Sequence, residues 1–292
     1  MSRHLEFTVT SEYDGEKTVY FLRKECGLSA RLVASLKCVE GGITKNGEHV
    51  RTIDRIKTGD VIGVTIPDDK NLPEPLAADI DVIYEDNDIL CINKSPFMAM
   101  HPSHNHQGDT LANAVAAYLA NQGKAIAFRA AGRLDKGTSG VVVCALNKFA
   151  AAKLNGKIEK EYLALVQGVL KDEGSIDVPI YRPDPMKTLR ACSYELGTET
   201  ALTHWKVEES FENATLVRVK IETGRTHQIR VHFAFTGHPL AGDTMYGDFL
   251  PDAGHQLLHC EACRLVHPVS GEEMVFRASL PETFEKILKK MK

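Results

Sequence analysis

The stretch GRLDKGTSGVVVCA, Gly132 to Ala145, crowds one carboxylate, two cations, two hydroxyls and three glycines against an apolar run. A phosphate-binding loop of the form G-x-x-x-x-G-K-[ST] would use Gly132 and Gly137, but Thr138 stands where a lysine must reach the terminal phosphates. A hydrolase elbow, G-x-S-x-G, would make Ser139 the nucleophile, but Val141 fills a position that must be small for a strand to turn sharply into a helix. Metal ligation by His227, His232 and His238 fares no better. On a helix, His227 and His232 point about 140° apart, unlike the i, i+4 pair of a helical zinc site. His101, His104 and His106 are expected to form a polar loop. Cys260 and Cys263, a single C-x-x-C among Leu258, Leu265 and Val266, are expected to be buried strand thiols. No metal and no cofactor are expected. What survives is Asp135, set between Arg133 and Lys136, because flanking cations favour the charged carboxylate that a nucleophile or base must be. On residue chemistry alone, an aspartate that merely shapes a turn remains open.

Such a carboxylate needs a scaffold, and the surrounding pattern supplies one. Val141 to Ala145 reads as an interior strand, followed by a helix over 148–155 and a strand over 161–169. Upstream, DVIYEDNDILCINK is two strands about a turn at Asp86-Asn87, and DTLANAVAAYLANQG is a helix from a Thr110 cap to a Gly123 stop. Downstream come a strand over 215–222, a helix over 227–235, strands near 258–266 and 273–278, and a last helix in PETFEKILKKM. Helices fall unevenly among the strands, so the expected class is α+β rather than a regular βαβ repeat.

Before this lies a smaller pattern. KTVYFLRKECG is a helix closed by Gly27, Ser29 caps a second short helix, Asn46-Gly47 marks a hairpin, and GDVIGVTI alternates as a strand. Pro67, Pro73 and Pro75 then bracket an extended segment. The expected organisation is a helix-plus-sheet module over 1–70, a linker over 71–80 and a large mixed, mainly antiparallel domain over 81–292. The net charge of −4 is local: residues 71–90 hold six carboxylates and no Lys or Arg, whereas the first seventy residues carry eleven charges of each sign. The charge of the whole therefore does not exclude a nucleic-acid partner, and Arg31 and Lys37 on the second short helix are candidate phosphate contacts. The alternative is a solvated helix face. Seven scattered cysteines, no apolar leader and no run long enough to span a bilayer lead to the expectation of a cytoplasmic protein with reduced thiols and without membrane contact, and of a monomer.

The order of elements from Lys17 to Pro67 resembles the RNA-binding domain first named for ribosomal protein S-four. GRLDKGTSG resembles the R-L-D-x-x-T-S-G signature of the RluA-type pseudouridine synthases. KEYLALVQG (Lys160 to Gly168) is similar to that family's K-x-Y-x-A-x-V-x-G strand, and ETGRTHQIRVHFAFTGHPLAGDTMYG to its T-G-R-x-H-Q-I-R-x-H and G-D-x-x-Y-G segments. LHCEACRLVHP resembles its closing strands, so the likeness spans about residues 80–285. Gly132 and Gly137 depart from it, standing where many members have His and an acidic residue. The resemblance implies isomerisation of uridine to pseudouridine within RNA. Asp135 would then act at the sugar and Tyr162 would lie against the uracil, with a strand-core tyrosine as the alternative. Arg230 would pair with Asp135. Arg133 would touch RNA as the base flips, a surface cation being the alternative. Lys160, Arg225 and His227, and more weakly Lys286, Lys289 and Lys290, would meet phosphates. Ribosomal RNA of the large subunit is the expected substrate, transfer RNA the second. A catalytically idle RNA-binding or ribosome-assembly factor is the rival class, against which Asp135, Tyr162 and Arg230 stand intact.

Overall fold

A computed structural model describes residues 2–69, 71–103, 107–248 and 250–292. His104 and His106 therefore lie outside the described residues.

The amino-terminal part is a four-stranded antiparallel sheet with two helices on it. Its elements are β1 (Arg3–Thr8), α1 (Thr18–Lys24), α2 (Ala30–Leu36), β2 (Ile43–Lys45), β3 (Glu48–His49) and β4 (Val61–Ile66), in sheet order β1-β4-β2-β3. Gly27 ends the first helical stretch at φ +73°, and the Ser29 hydroxyl accepts the Leu32 amide at 3.1 Å to cap α2. Asn46 and Gly47 both take positive φ, 52° and 86°, as a two-residue hairpin requires. Strand β1 has no expectation in the sequence, since only Leu5 of its six residues is fully buried. It forms because β4 offers a complete partner, Arg3 opposite Ile66 through Thr8 opposite Val61. Phe21, Leu22, Leu36, Ile43, Ile62 and Val64 make the core.

Residues 71–80 are extended but stitched down. The Leu76 amide donates to the Asn113 carbonyl at 3.0 Å, and the Asn113 side chain returns a bond to the Glu74 carbonyl at 2.8 Å. Just before them, Asp69 receives the Ala127 amide and pairs with Arg129.

The large part comprises β5 (Asp81–Glu85), β6 (Ile89–Lys94), α3 (Leu111–Asn121), β7 (Ser139–Ala145), α4 (Lys148–Leu154), β8 (Glu159–Gln167), β9 (Glu173–Asp177), β10 (Ile180–Tyr181) and β11 (Ala191–Cys192). It continues with β12 (Leu202–Ser210), β13 (Ala214–Ile221), α5 (Gln228–Phe235), β14 (Leu258–Val266), β15 (Glu273–Arg277) and α6 (Glu282–Met291). One sheet runs β5-β6-β7-β14-β8-β13-β12-β9, with β15 also on β14, and every pairing is antiparallel except the short β7–β14 contact. The class is α+β with a mixed, mainly antiparallel sheet. Strands β9 and β12 have no counterpart in the sequence reading. Both lie at the solvated end of the sheet, where Thr203 is the single fully buried residue of LTHWKVEES, so apolar periodicity is faint. Among the described residues no helix is long and apolar enough to cross a membrane.

Candidate active site

Asp135 sits on the loop that enters β7, and that loop is fastened on several sides. The Thr138 amide closes the turn onto the Asp135 carbonyl at 3.0 Å. The Gln256 amide nitrogen donates to the Thr138 hydroxyl at 3.2 Å. Ser139 Oγ meets His259 Nδ1 at 2.9 Å, while His259 Nε2 reaches the Ala278 carbonyl at 3.2 Å. From beneath, Lys94 at the end of β6 donates to the carbonyls of Ser95, Met98 and Lys136 at 2.8, 2.9 and 3.1 Å. Three carbonyls match the three protons of an ammonium, while burial pulls the amine down to about 7 and Asp135 pulls it back up. At Gly140, φ is +111° and a Cβ would strike the Cys260 carbonyl, so only glycine lets β7 approach β14 this closely.

The side chain of Asp135 is 14% exposed and accepts from Arg230 Nη1 at 3.0 Å. Arg230 is aimed by a second carboxylate: Asp243, wholly buried, takes Nε at 2.7 Å and Nη2 at 2.9 Å. A guanidinium clamped in this bidentate way has one remaining face, and that face meets Asp135. Its pKa is pushed further up by the two carboxylates despite burial. The Tyr246 ring covers the guanidinium at 5.2 Å, and its hydroxyl accepts the Arg190 amide at 2.8 Å while sharing a 2.9 Å hydrogen bond with His227 Nδ1. His227 Nε2 then lies 3.9 Å from Asp135 Oδ2. Burial lowers the His227 pKa against the pull of Asp135.

His227 departs from the sequence reading. It is not the first residue of the helix but its N-cap, at φ +58° and ψ 17° in the left-handed region, so it turns towards Asp135 rather than following helical spacing. His232 is buried between the Thr203 hydroxyl and the Val178 carbonyl, and His238 bonds the Gln167 carbonyl, so the three histidines serve different places.

A cleft of about 340 Å³ opens over this cluster, walled by the Asp135 loop, the chain between α4 and β8, and the residues leading into α5. Asp135, Tyr162 and Arg230 all line it, as do Arg133, Lys160, Arg225 and His227. Tyr162 stands on β8 between Val219 of β13 and Cys260 of β14, and burial pushes its phenol well above the usual value, so it presents a hydroxyl to the cleft. None of the described residues hydrogen-bonds that hydroxyl. Arg225 leans on the Thr200 carbonyl and Glu199, and Lys160 on the Arg133 carbonyl at 3.4 Å. Arg31 on α2 and Lys37 at its C-cap are exposed, and neither lines the cleft. The tail lysines Lys286, Lys289 and Lys290 stand exposed on α6, outside the cleft, each with a carboxylate within ion-pair distance: Glu282, Glu285 and Asp252. Cys260 and Cys263 are buried, free and 3.8 Å apart on β14. The cluster Asp86, Asp88 and His267 lies outside the cleft, and Asp88 is already satisfied by Arg3 and Asn147.

The sequence profile of the RNA pseudouridylate synthases matches residues 88–235. The RNA pseudouridine synthase YjbO of Bacillus subtilis is 36% identical over 91% of this chain and 96% of its own length. The chain belongs to the RNA pseudouridylate synthase family. Its activity is therefore the isomerisation of uridine in RNA to pseudouridine. Another relative in the family is the ribosomal large subunit pseudouridine synthase D of Haemophilus influenzae, 34% identical over 87% of this chain and 85% of its own. Among solved structures, the human RNA pseudouridylate synthase domain containing 4 protein aligns with 72% of this chain at a TM-score of 0.59 and 23% identity, a likeness of fold. The two departures of this synthase from the family signature have local causes. Gly132 holds φ +93°, with the Lys160 amine where a Cβ would stand, and the Gln256 amide fills the space beside Gly137. The sequence reading assigned no role to Lys94, Asp243 or Tyr246. The signals were present, in a lone lysine ending an apolar strand and in the G-D-x-x-Y-G spacing, but neither carries its meaning without the fold.

Proposed function

We propose that this synthase acts through Asp135 on uridines of large-subunit ribosomal RNA. The observation that carries the reading is the convergence of Asp135 with the Arg230–Asp243 clamp at the floor of the one cleft that also receives Tyr162. The reaction breaks the bond between the sugar's anomeric carbon and the uracil nitrogen and forms one to a ring carbon. That carbon loses a proton and the freed nitrogen gains one, so no outside reagent is consumed. Asp135 supplies the carboxylate at the sugar. Arg230 keeps its oxygen oriented, and Tyr162 offers an apolar ring face and a hydroxyl to the detached uracil. A flipped-out base needs such a walled space, and Arg133 at the rim is the arm that replaces it in the RNA. Arg225, Lys160 and His227 line the approach, and the amino-terminal part, with Arg31 and Lys37, is read as an RNA-binding module of the S-four type. The choice of ribosomal RNA is supported by the named activity of the Haemophilus relative.

Asp135→Asn, nearly isosteric, is expected to abolish pseudouridine formation in a purified assay on an unmodified large-subunit ribosomal RNA transcript, with RNA affinity retained. Conversion by the variant would refute the catalytic assignment. Mapping pseudouridine across total RNA of a strain lacking the protein tests the target separately: loss confined to transfer RNA would refute the ribosomal reading.

A further inference from the structure

The amino-terminal part is docked on the catalytic part, and the dock is helix α4. At its start, Asn147 caps the helix and holds Asp88, onto which Arg3 of β1 closes a two-pronged ion pair at 2.9 and 2.8 Å. Phe149, two residues on and only 2% exposed, is buried in the core of the amino-terminal part, its ring 6.1 Å from that of Phe7. An apolar insertion beside a bidentate pair whose carboxylate is buried fixes an orientation, because sliding would expose the ring and strand the carboxylate.

The other end of α4 reaches both the α1–α2 turn and the cleft. Lys153 lies over the Phe149 ring at 5.4 Å and packs on Gly27, whose missing Cβ leaves it room. Leu154, Gly156 and Ile158 then form a wall of the cleft, with Lys157 exposed between them and Lys160 at the rim. Cations therefore stand on each of the pieces that meet here: Arg31 on α2, Lys153 and Lys157 at the end of α4 and just beyond it, and Lys160 and Arg133 on the cleft. Glu25 and Glu159 also lie on this stretch, but among the described residues no carboxylate comes within ion-pair distance of Arg31, Lys153 or Lys157. The tail lysines, in contrast, each have a carboxylate within ion-pair distance.

We propose that the docked amino-terminal part and the cleft form one track for the RNA backbone, crossed at α4 by Lys153 and Lys157. Phosphates bound on α2 then lie at a set distance from Asp135, and the rigid dock works as a spacer that selects which uridine is presented. The proposal rests on RNA being the substrate, and its test reads binding rather than conversion, so its failure leaves the Asp135 assignment standing.

The experiment measures affinity of the full chain for an unmodified large-subunit ribosomal RNA transcript across a salt series from about 50 to 200 mM. Lys153→Glu with Lys157→Glu is expected to weaken binding at least about tenfold at low salt and to flatten the salt dependence by about 1.5 to 2 in logarithmic slope, as for two lost phosphate contacts. Lys157→Glu alone, on an exposed side chain outside the dock, should give about half that change in slope. A charge-matched reversal of Lys171 and Lys206 on the far edge of the sheet should leave affinity and slope as they were. An unchanged slope in both the single and the double variant would overturn the proposal. So would an equal loss from the far-edge control, which would reduce the effect to overall charge.

Discussion

The Arg230 side chain shows how much of this site is decided by a single neighbour. Its guanidinium is 8% exposed and spends two of its bonds on Asp243, so its third contact, to Asp135, is a consequence of that clamp. Asp243→Asn keeps the shape but removes the charge that offsets the buried cation. The expected cost is about 3 kcal/mol of stability, read by urea unfolding. The expected fall in kcat is about 100-fold at little change in KM, because the Asp135 carboxylate loses its orientation rather than its chemistry. Wild-type kcat in a folded variant would show that Arg230 needs no such support. Legibility at this scale was uneven. Asp135, Tyr162 and Arg230 stood out by motif, whereas Asp243 and Lys94 bear on the site through partners farther along the chain, Arg230 and the Lys136 carbonyl, and looked like ordinary surface charges.

Among the elements, the β7–β14 contact bears most directly on the site. It is the one parallel strand pairing of the large sheet among the described residues, it is two residue pairs long, and it places the start of β7 against the bulge at Cys260–Ala262. Gly140→Ala would push a methyl into the Cys260 backbone at a φ that disfavours any side chain. It is expected to cost more than about 3 kcal/mol and to abolish activity by displacing the Asp135 loop. Gly156→Ala, also at positive φ but facing open space, should cost only about 1 kcal/mol. Equal melting midpoints for the two variants would refute the close-approach argument. Strands β6, β7, β8, β13 and β14 were legible because the core buries them, and β1, β9 and β12 were not because their partners, rather than their own residues, make them strands.

For the whole molecule, the buried histidines set the behaviour in acid. Burial lowers the pKa of His227, His232, His255 and His259 below the usual imidazole value. Their unfolded forms take up protons as pH falls through about 6.5, while the folded forms do so only lower, so the unfolded state binds more protons in that window. The contribution of these histidines is therefore full above about pH 6.5 and declines as pH falls from there, before carboxylates titrate near about 4. Urea midpoints are expected to drop steadily between about pH 7 and 5, and a flat or rising midpoint over that range would refute the assignment of neutral buried imidazoles.

The sequence by itself determined the family, the α+β class and the loop that carries Asp135, because these follow from local spacing: a signature of eight residues, alternating and apolar runs, and caps and glycines that end helices. Only the tertiary structure decided what stands around that loop. Asp243 and Tyr246 reach Arg230 and His227 from beyond the end of α5, Lys94 supports the loop from forty-two residues earlier in the chain, and Phe149 belongs to the core of the other part. Such contacts leave no periodicity to read, since what selects each residue is the geometry of a distant partner and not its neighbours along the chain.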